Sequence, residues 1–212
     1  MFIELVDSLR CLEPHEDTWL VAAVSRMDGR QIIEGTLGCP VCRRQYPVQG
    51  GVAWFSTTAD KRLTRTVVTA DPERVTRAAA LLGLADSGGI VVLGGTWTDC
   101  ADALSDVGAA QVVLLNAEPS TSSPQEVSAL AVDDRLPFAM GALRAVALDR
   151  EVATGLLLDS SRDALRSRGR LVAPADMIAP DGVTVLARDA HDWVAEREVV
   201  ASPPVTLRSV RR

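Results

Sequence analysis

The sequence predicts an α/β protein, a doubly wound, Rossmann-like parallel sheet preceded by a small β zinc ribbon. Three observations carry that expectation. Three cysteines and a histidine fall in the first 42 residues with chelating spacing, short apolar strands then alternate with helical segments, and acidic caps or glycines mark the joints. At 212 residues and 47% hydrophobic content, the chain can bury a full core and suits one medium domain plus a small module.

The first element is the ribbon. Cys11-Leu12-Glu13-Pro14-His15 and Cys39-Pro40-Val41-Cys42 are two chelating pairs separated by a hairpin-length stretch. Each pair can bend round one side of a metal, giving a closed Cys3His site with no position for a reacting water. A site of that kind is structural. The CPxC pair is the more specific half; the alternative for Cys11 and His15 is that their spacing is incidental. Strands are expected over 19–24 and 31–37, joined by a turn at Met27-Asp28-Gly29, with a single last strand over 46–55. The start, Met1 to Asp7, has neither a basic stretch nor a long apolar run, which argues against a disulfide framework and for a cytoplasmic protein.

Residues 1–56 therefore form the ribbon, 57–70 a polar linker without clear period, and 71–212 the α/β domain. On that division, replacing Cys39 or Cys42 by Ser should release the metal and unfold the ribbon alone. Asp71-Pro72-Glu73 opens a helix that Gly83 stops. Strands follow over 90–93, 111–115, 128–132, 144–148 and 170–173, with helices over 99–107 and 151–166. Short, wholly apolar strands between helices indicate a parallel sheet covered on both faces. The end supplies a helix or strand from Val183, then an antiparallel edge hairpin with Pro203-Pro204 between its arms. Cys100 reads as a buried small hydrophobe, and His191 as an exposed side chain in a charged segment.

Charge and hydropathy narrow the function classes. A net charge of −6 argues against a nucleic-acid surface as the main feature, although Arg208, Arg211 and Arg212 form a local basic tail. No segment approaches the roughly 20 apolar residues of a membrane helix.

Two resemblances add to this reading. Residues 1–55, through Leu9-Arg10-Cys11, Cys39-Pro40-Val41-Cys42, Tyr46-Pro47-Val48 and Gly50-Gly51-Val52, resemble the small zinc-ribbon proteins related to the activator subunit of tRNA, rRNA and release-factor methyltransferases. That family more often has a second cysteine at the first knuckle, so His15 as ligand is inferred from this chain alone. Residues 71–212 resemble class I S-adenosylmethionine-dependent methyltransferases. Residues 90–98 are similar to the glycine-rich turn, Leu136-Pro137-Phe138 to the segment after the adenine-contacting strand, and Arg168-Gly169-Arg170-Leu171-Val172 to the turn into the fifth strand. The resemblance implies a cofactor crevice at Gly94, Gly95, Asn116, Asp133 and Asp134.

Departures from the pattern cluster in that crevice. The strand's acidic position is Val92, Gly94 keeps the first glycine, and the other two fall on Thr96 and Thr98 with Trp97 between them. A Cβ there obstructs both positive φ and close backbone approach. Asn116 stands for the carboxylate that meets the ribose, with Glu118 nearby; the adenine-side aspartate falls on Val132, ahead of Asp133 and Asp134; Arg144 replaces the acid that opens the fourth strand. With these sites altered together, the favoured function is a non-catalytic, methyltransferase-like structural or regulatory subunit that binds a protein partner, with no catalytic residue. Trp19, Trp54 and Phe55 are contact candidates or pack the ribbon inward. The alternative is a small active methyltransferase whose ribbon recruits substrate, with Asp149 orienting it or merely capping a helix. A nucleic-acid binder using Arg43, Arg44 and the basic tail is the third reading.

Overall fold

A computed structural model describes residues 1–57, 63, 65–66, 68–85, 88–108, 111–119 and 126–199. Pro203-Pro204, the basic tail and much of the expected linker lie outside the described residues. A 3-10 turn, Ile3–Ser8, precedes the antiparallel pair β1 (Val21–Asp28) and β2 (Gln31–Gly38), which are followed by β3 (Gln45–Gln49) and β4 (Val52–Trp54). The single strand expected over 46–55 is two. Gly50 and Gly51, at φ +58° and +82°, make a two-residue turn that pairs Gln49 with Val52 and Val48 with Ala53.

A short strand β5 (Arg65–Thr66) leads to helix α1 (Pro72–Leu82). Its ends are set locally: the Asp71 carboxylate accepts from Arg74 N at 2.9 Å, Pro72 occupies the first turn, and Gly83 closes the helix at φ +64°. Asp71→Ala is expected to lower stability by about 1 kcal/mol, read as a drop of a few degrees in a thermal melt. Strand β6 (Ile90–Gly94), a 3-10 turn over Gly95–Cys100, helix α2 (Ala101–Gly108), and strands β7 (Gln111–Leu115), β8 (Ala117–Glu118), β9 (Val127–Ala131) and β10 (Leu143–Leu148) follow. Helix α3 (Gly155–Ala164) is shorter than the sequence suggests because Thr154, not Asp149, is its cap, accepting from Leu157 N at 3.2 Å. Strand β11 (Leu165–Pro174) and the hairpin of β12 (Val183–Arg188) and β13 (Asp192–Arg197) are the last elements among the described residues. That hairpin turns at 189–191, and the further hairpin expected about Pro203-Pro204 falls outside the described residues.

Eleven of the strands form one sheet in the order β1-β2-β3-β4-β9-β7-β6-β10-β11-β13-β12, with β5 and β8 paired separately. Strands β4, β9, β7, β6, β10 and β11 are mutually parallel. Because side chains alternate, Val92, Val113, Leu130 and Val146 pack on one face with α3, while Val91, Leu93, Val112 and Leu114 pack on the other with α1 and α2.

The N-terminal strands belong to this sheet. Val52, Ala53 and Trp54 of β4 pair in parallel with Ala129, Leu130 and Ala131 of β9. Phe2 N donates to Ser128 Oγ at 2.9 Å, and Arg10 N to Pro137 O at 2.8 Å. One apolar cluster consequently contains Met1, Leu5, Leu37 and Tyr46 together with Val146, Leu171 and Trp193. Sheet and core cross the expected boundary without a break. Phe55 is buried and Trp54 half-buried in this packing, whereas Trp19 is 55% exposed with the Arg10 guanidinium over its ring.

Candidate metal centre and switch-point crevice

The two chelating pairs converge. Cys11 Sγ lies 3.6 Å from Cys42 Sγ, Cys39 Sγ lies 3.3 Å from His15 Nε2, and all four donor atoms are within 4.8 Å of one another. A tetrahedral ion with metal–sulfur bonds near 2.3 Å sets its sulfurs about 3.8 Å apart, so this Cys3His group can hold zinc. Local geometry aims the ligands. The CPVC knuckle is closed by Arg43 N donating to Cys39 O at 3.0 Å and Cys39 N donating to Arg44 O at 2.9 Å, with Arg43 in the left-handed region at φ +63°. His15 Nδ1 faces Glu16 O at 2.7 Å; a proton held there leaves Nε2 bare toward the thiols.

The electrostatics favour thiolate at Cys39 and oppose it at Cys11. Burial pushes the Cys39 thiol up, but backbone N–H groups of Cys42 and Val41 and the neighbouring thiols outweigh it and hold it down at about 7. Burial pushes the Cys11 thiol up. Tyr46 ties the cluster to the sheet: its hydroxyl contacts Cys11 Sγ at 3.4 Å and accepts from Leu12 N at 3.2 Å, while its ring packs on Phe55 with centroids 4.6 Å apart.

The second feature lies where the strand order reverses, between β6 and β10, at the carboxyl ends where doubly wound sheets bind ligands. Gly95 has φ +66°, and a Cβ placed on it would lie 1.8 Å from Asp149 Oδ1. The glycine admits the Asp149 carboxylate. Asp149 Oδ2 accepts from Thr96 N at 2.6 Å and Oδ1 from Glu151 N at 3.0 Å, while Arg74 donates to Thr96 O at 2.7 Å. Gly94 is extended, and a Cβ there would meet Leu148 at 2.9 Å; Trp97 is buried.

Other crevice candidates are engaged within the chain. Asn116, at φ +56°, accepts from Val132 N through Oδ1 at 3.0 Å. The Asp133 carboxylate accepts from Ser56 Oγ at 2.5 Å, Thr57 N at 2.8 Å and Thr57 Oγ1 at 3.1 Å. Asp134 lines a cavity of about 220 Å³ with Glu13, Arg44 and Tyr46, beside the cysteine cluster. The structure thus brings Gly94 and Gly95 to Asp149 and sets Asp133 and Asp134 against the ribbon.

Sequence reasoning missed the arginines. Arg74 and Arg77 of α1 line a cleft of about 430 Å³ with Thr96, Asp149, His191 and Asp192. Arg77 pairs with Asp189 at 2.9 Å and Asp192 at 3.1 Å, holding the β12–β13 turn to α1. Backbone N–H groups of Asp192 and His191, then Arg77, hold the Asp189 carboxyl well below the usual range. The i, i+3 spacing of these arginines was the available clue. Arg144 is buried and donates to Gly83 O and Gly88 O, both at 2.8 Å, satisfying carbonyls beyond the end of α1. Cys100 is fully buried, which pushes its thiol up.

No family model matches the chain, and no curated protein matches it. Solved structures do. The antibiotic-resistance methyltransferase Kmr is similar over 63% of this chain and 95% of its own, at 12% identity and a TM-score of 0.41. MycE methyltransferase from the mycinamycin biosynthetic pathway is similar over 61% of this chain and 49% of its own, at 8% identity and 0.45. Geranyl diphosphate C-methyltransferase from Streptomyces coelicolor A3(2) is similar over 46% of this chain and 45% of its own, at 17% identity and 0.33. The chain spans about half the length of the last two, and likenesses this distant say nothing of activity. The fold itself is mixed α/β, a parallel core sheet with a β region at its N-terminal end that carries a Cys3His cluster. Among the described residues, no helix is long and apolar enough to cross a membrane.

Proposed function

We propose that the chain is a non-catalytic, methyltransferase-like structural or regulatory subunit for a protein partner, with Cys11, His15, Cys39 and Cys42 holding a structural zinc. A Cys3His group that holds zinc through thiolates suits a reducing, cytoplasmic setting. The ribbon, similar in its motifs to methyltransferase activators, serves here as part of the same sheet.

The observation that carries this reading is Asp149 over Gly95. The turn's glycine and the Thr96 N–H serve an internal carboxylate, so the backbone approach that a nucleotide-type cofactor requires is taken by the chain itself. Asn116 and Asp133 support it, since each accepts hydrogen bonds from the chain. S-adenosylmethionine does not fit this arrangement.

Calorimetric titration of the zinc-loaded protein with S-adenosylmethionine and S-adenosylhomocysteine tests the reading. No binding at millimolar ligand is expected. Micromolar binding would overturn it in favour of the small active methyltransferase, with Asp149 displaced from the turn.

A further inference from the structure

We propose that Cys42 is the oxidation site of the Cys3His cluster, and that hydrogen peroxide converts the metal-bound form into one holding a Cys11–Cys42 disulfide. The inference rests on the zinc-binding reading above. Among the cysteines of the cluster, Cys42 is exposed, Cys11 is half-buried and Cys39 is buried. Oxidant therefore meets Cys42 first. A resolving sulfur is held close by the fold: Cys11 Sγ stands 3.6 Å away, while Cys39 Sγ faces His15 Nε2 at 3.3 Å. Backbone N–H groups of Val41 and Cys42 hold the Cys39 sulfur in place.

The chemistry balances with peroxide as the oxidant. The Cys42 thiolate attacks one peroxide oxygen, the O–O bond breaks, and hydroxide leaves to become water on taking a proton. Cys42 is then a sulfenic acid. The Cys11 thiolate attacks its sulfur, the S–O bond breaks as the S–S bond forms, and the second hydroxide takes a proton. Two thiolates have lost two electrons, and peroxide has become two waters. Only Cys39 and His15 remain as ligands, too few for a structural zinc site.

The disulfide would join the same two segments that the metal joins, 31 residues apart in sequence. Closure of the ribbon therefore survives loss of the ion, because the cross-link still limits the unfolded chain. Cys100, fully buried in the opposite core, takes no part.

The experiment uses the full chain loaded with zinc, measured first with a chromogenic chelator. About one zinc per chain is expected. Peroxide is then titrated in while zinc release and free thiols are followed, and the product is digested without reduction for disulfide mapping. The expected result is zinc release in step with loss of two thiols, a Cys11–Cys42 linked peptide, and recovery of zinc binding after a thiol reductant. A Cys39–Cys42 disulfide, zinc release without any disulfide, or zinc retained under peroxide would each overturn the proposal. Protein that binds no zinc at the outset would overturn the metal reading itself, and the proposal with it.

Discussion

Removing the metal, by chelation or by Cys11→Ser, is expected to unfold the chain in one transition. Sequence alone divides the chain at 57–70 and suggests loss of the ribbon only. The shared core suggests otherwise: Met1, Leu37 and Tyr46 pack in one cluster with Val146 and Trp193, and β4 is a strand of the parallel sheet. Structural zinc contributes roughly 10 kcal/mol to small modules, comparable with the whole stability of a domain. Without it β3 loosens, and β4, which bridges β3 and β9, passes that loss into the shared core. Thermal melts followed by near-ultraviolet circular dichroism, with hydrogen exchange at β9, check this. Two separate transitions, with β9 protected after the first, would show that the ribbon unfolds alone.

Gly95→Ala is expected to be nearly as damaging, and its size should depend on Asp149. Left-handed backbone costs a residue with a Cβ about 1–2 kcal/mol. Here the methyl would also collide with the Asp149 carboxylate, displacing it from the Thr96 N–H. A charge-assisted hydrogen bond adds roughly 1.5–3 kcal/mol, for a total of about 3–5 kcal/mol. In an Asp149→Ala background the collision is gone and only the backbone strain remains. Urea melts of both single variants and the double variant should therefore give a coupling of about 2 kcal/mol. An equal cost of Gly95→Ala in the two backgrounds would mean that the glycine is not there to admit Asp149.

Local features were legible in the sequence. Helix α1 was, because Asp71, Pro72 and Gly83 determine its ends within one segment. The Cys3His group was, because chelating spacing is a property of neighbours in the chain. The β3–β4 split also has a local signal: Gly50-Gly51, between Val48-Gln49 and Val52-Ala53, is a hairpin turn, and a continuous strand cannot keep both at positive φ. Other features needed the topology. Gly95 and Asp149 meet only because β6 and β10 lie side by side with their carboxyl ends level, Gly94 beside Leu148. Arg144 looked like a lost acid, whereas its partners, Gly83 O and Gly88 O, are brought to it by α1 and the following loop. The β4–β9 pair has no local trace, since what joins the strands is the burial of Phe55 and Ala53 beside Leu130.

That pair also has a consequence in time. Ala129 follows Val52 by 77 residues, so a ribosome adding 5–20 residues per second takes about 4–15 s to make the partner strand after β4 has been synthesised. Throughout that interval the edge of β4 is an open template, able to pair with any extended chain nearby. All four ligands of the Cys3His cluster precede β4, so the nascent chain can close round zinc before β9 exists. Early closure would shape the waiting edge and shorten the search that β9 makes for it.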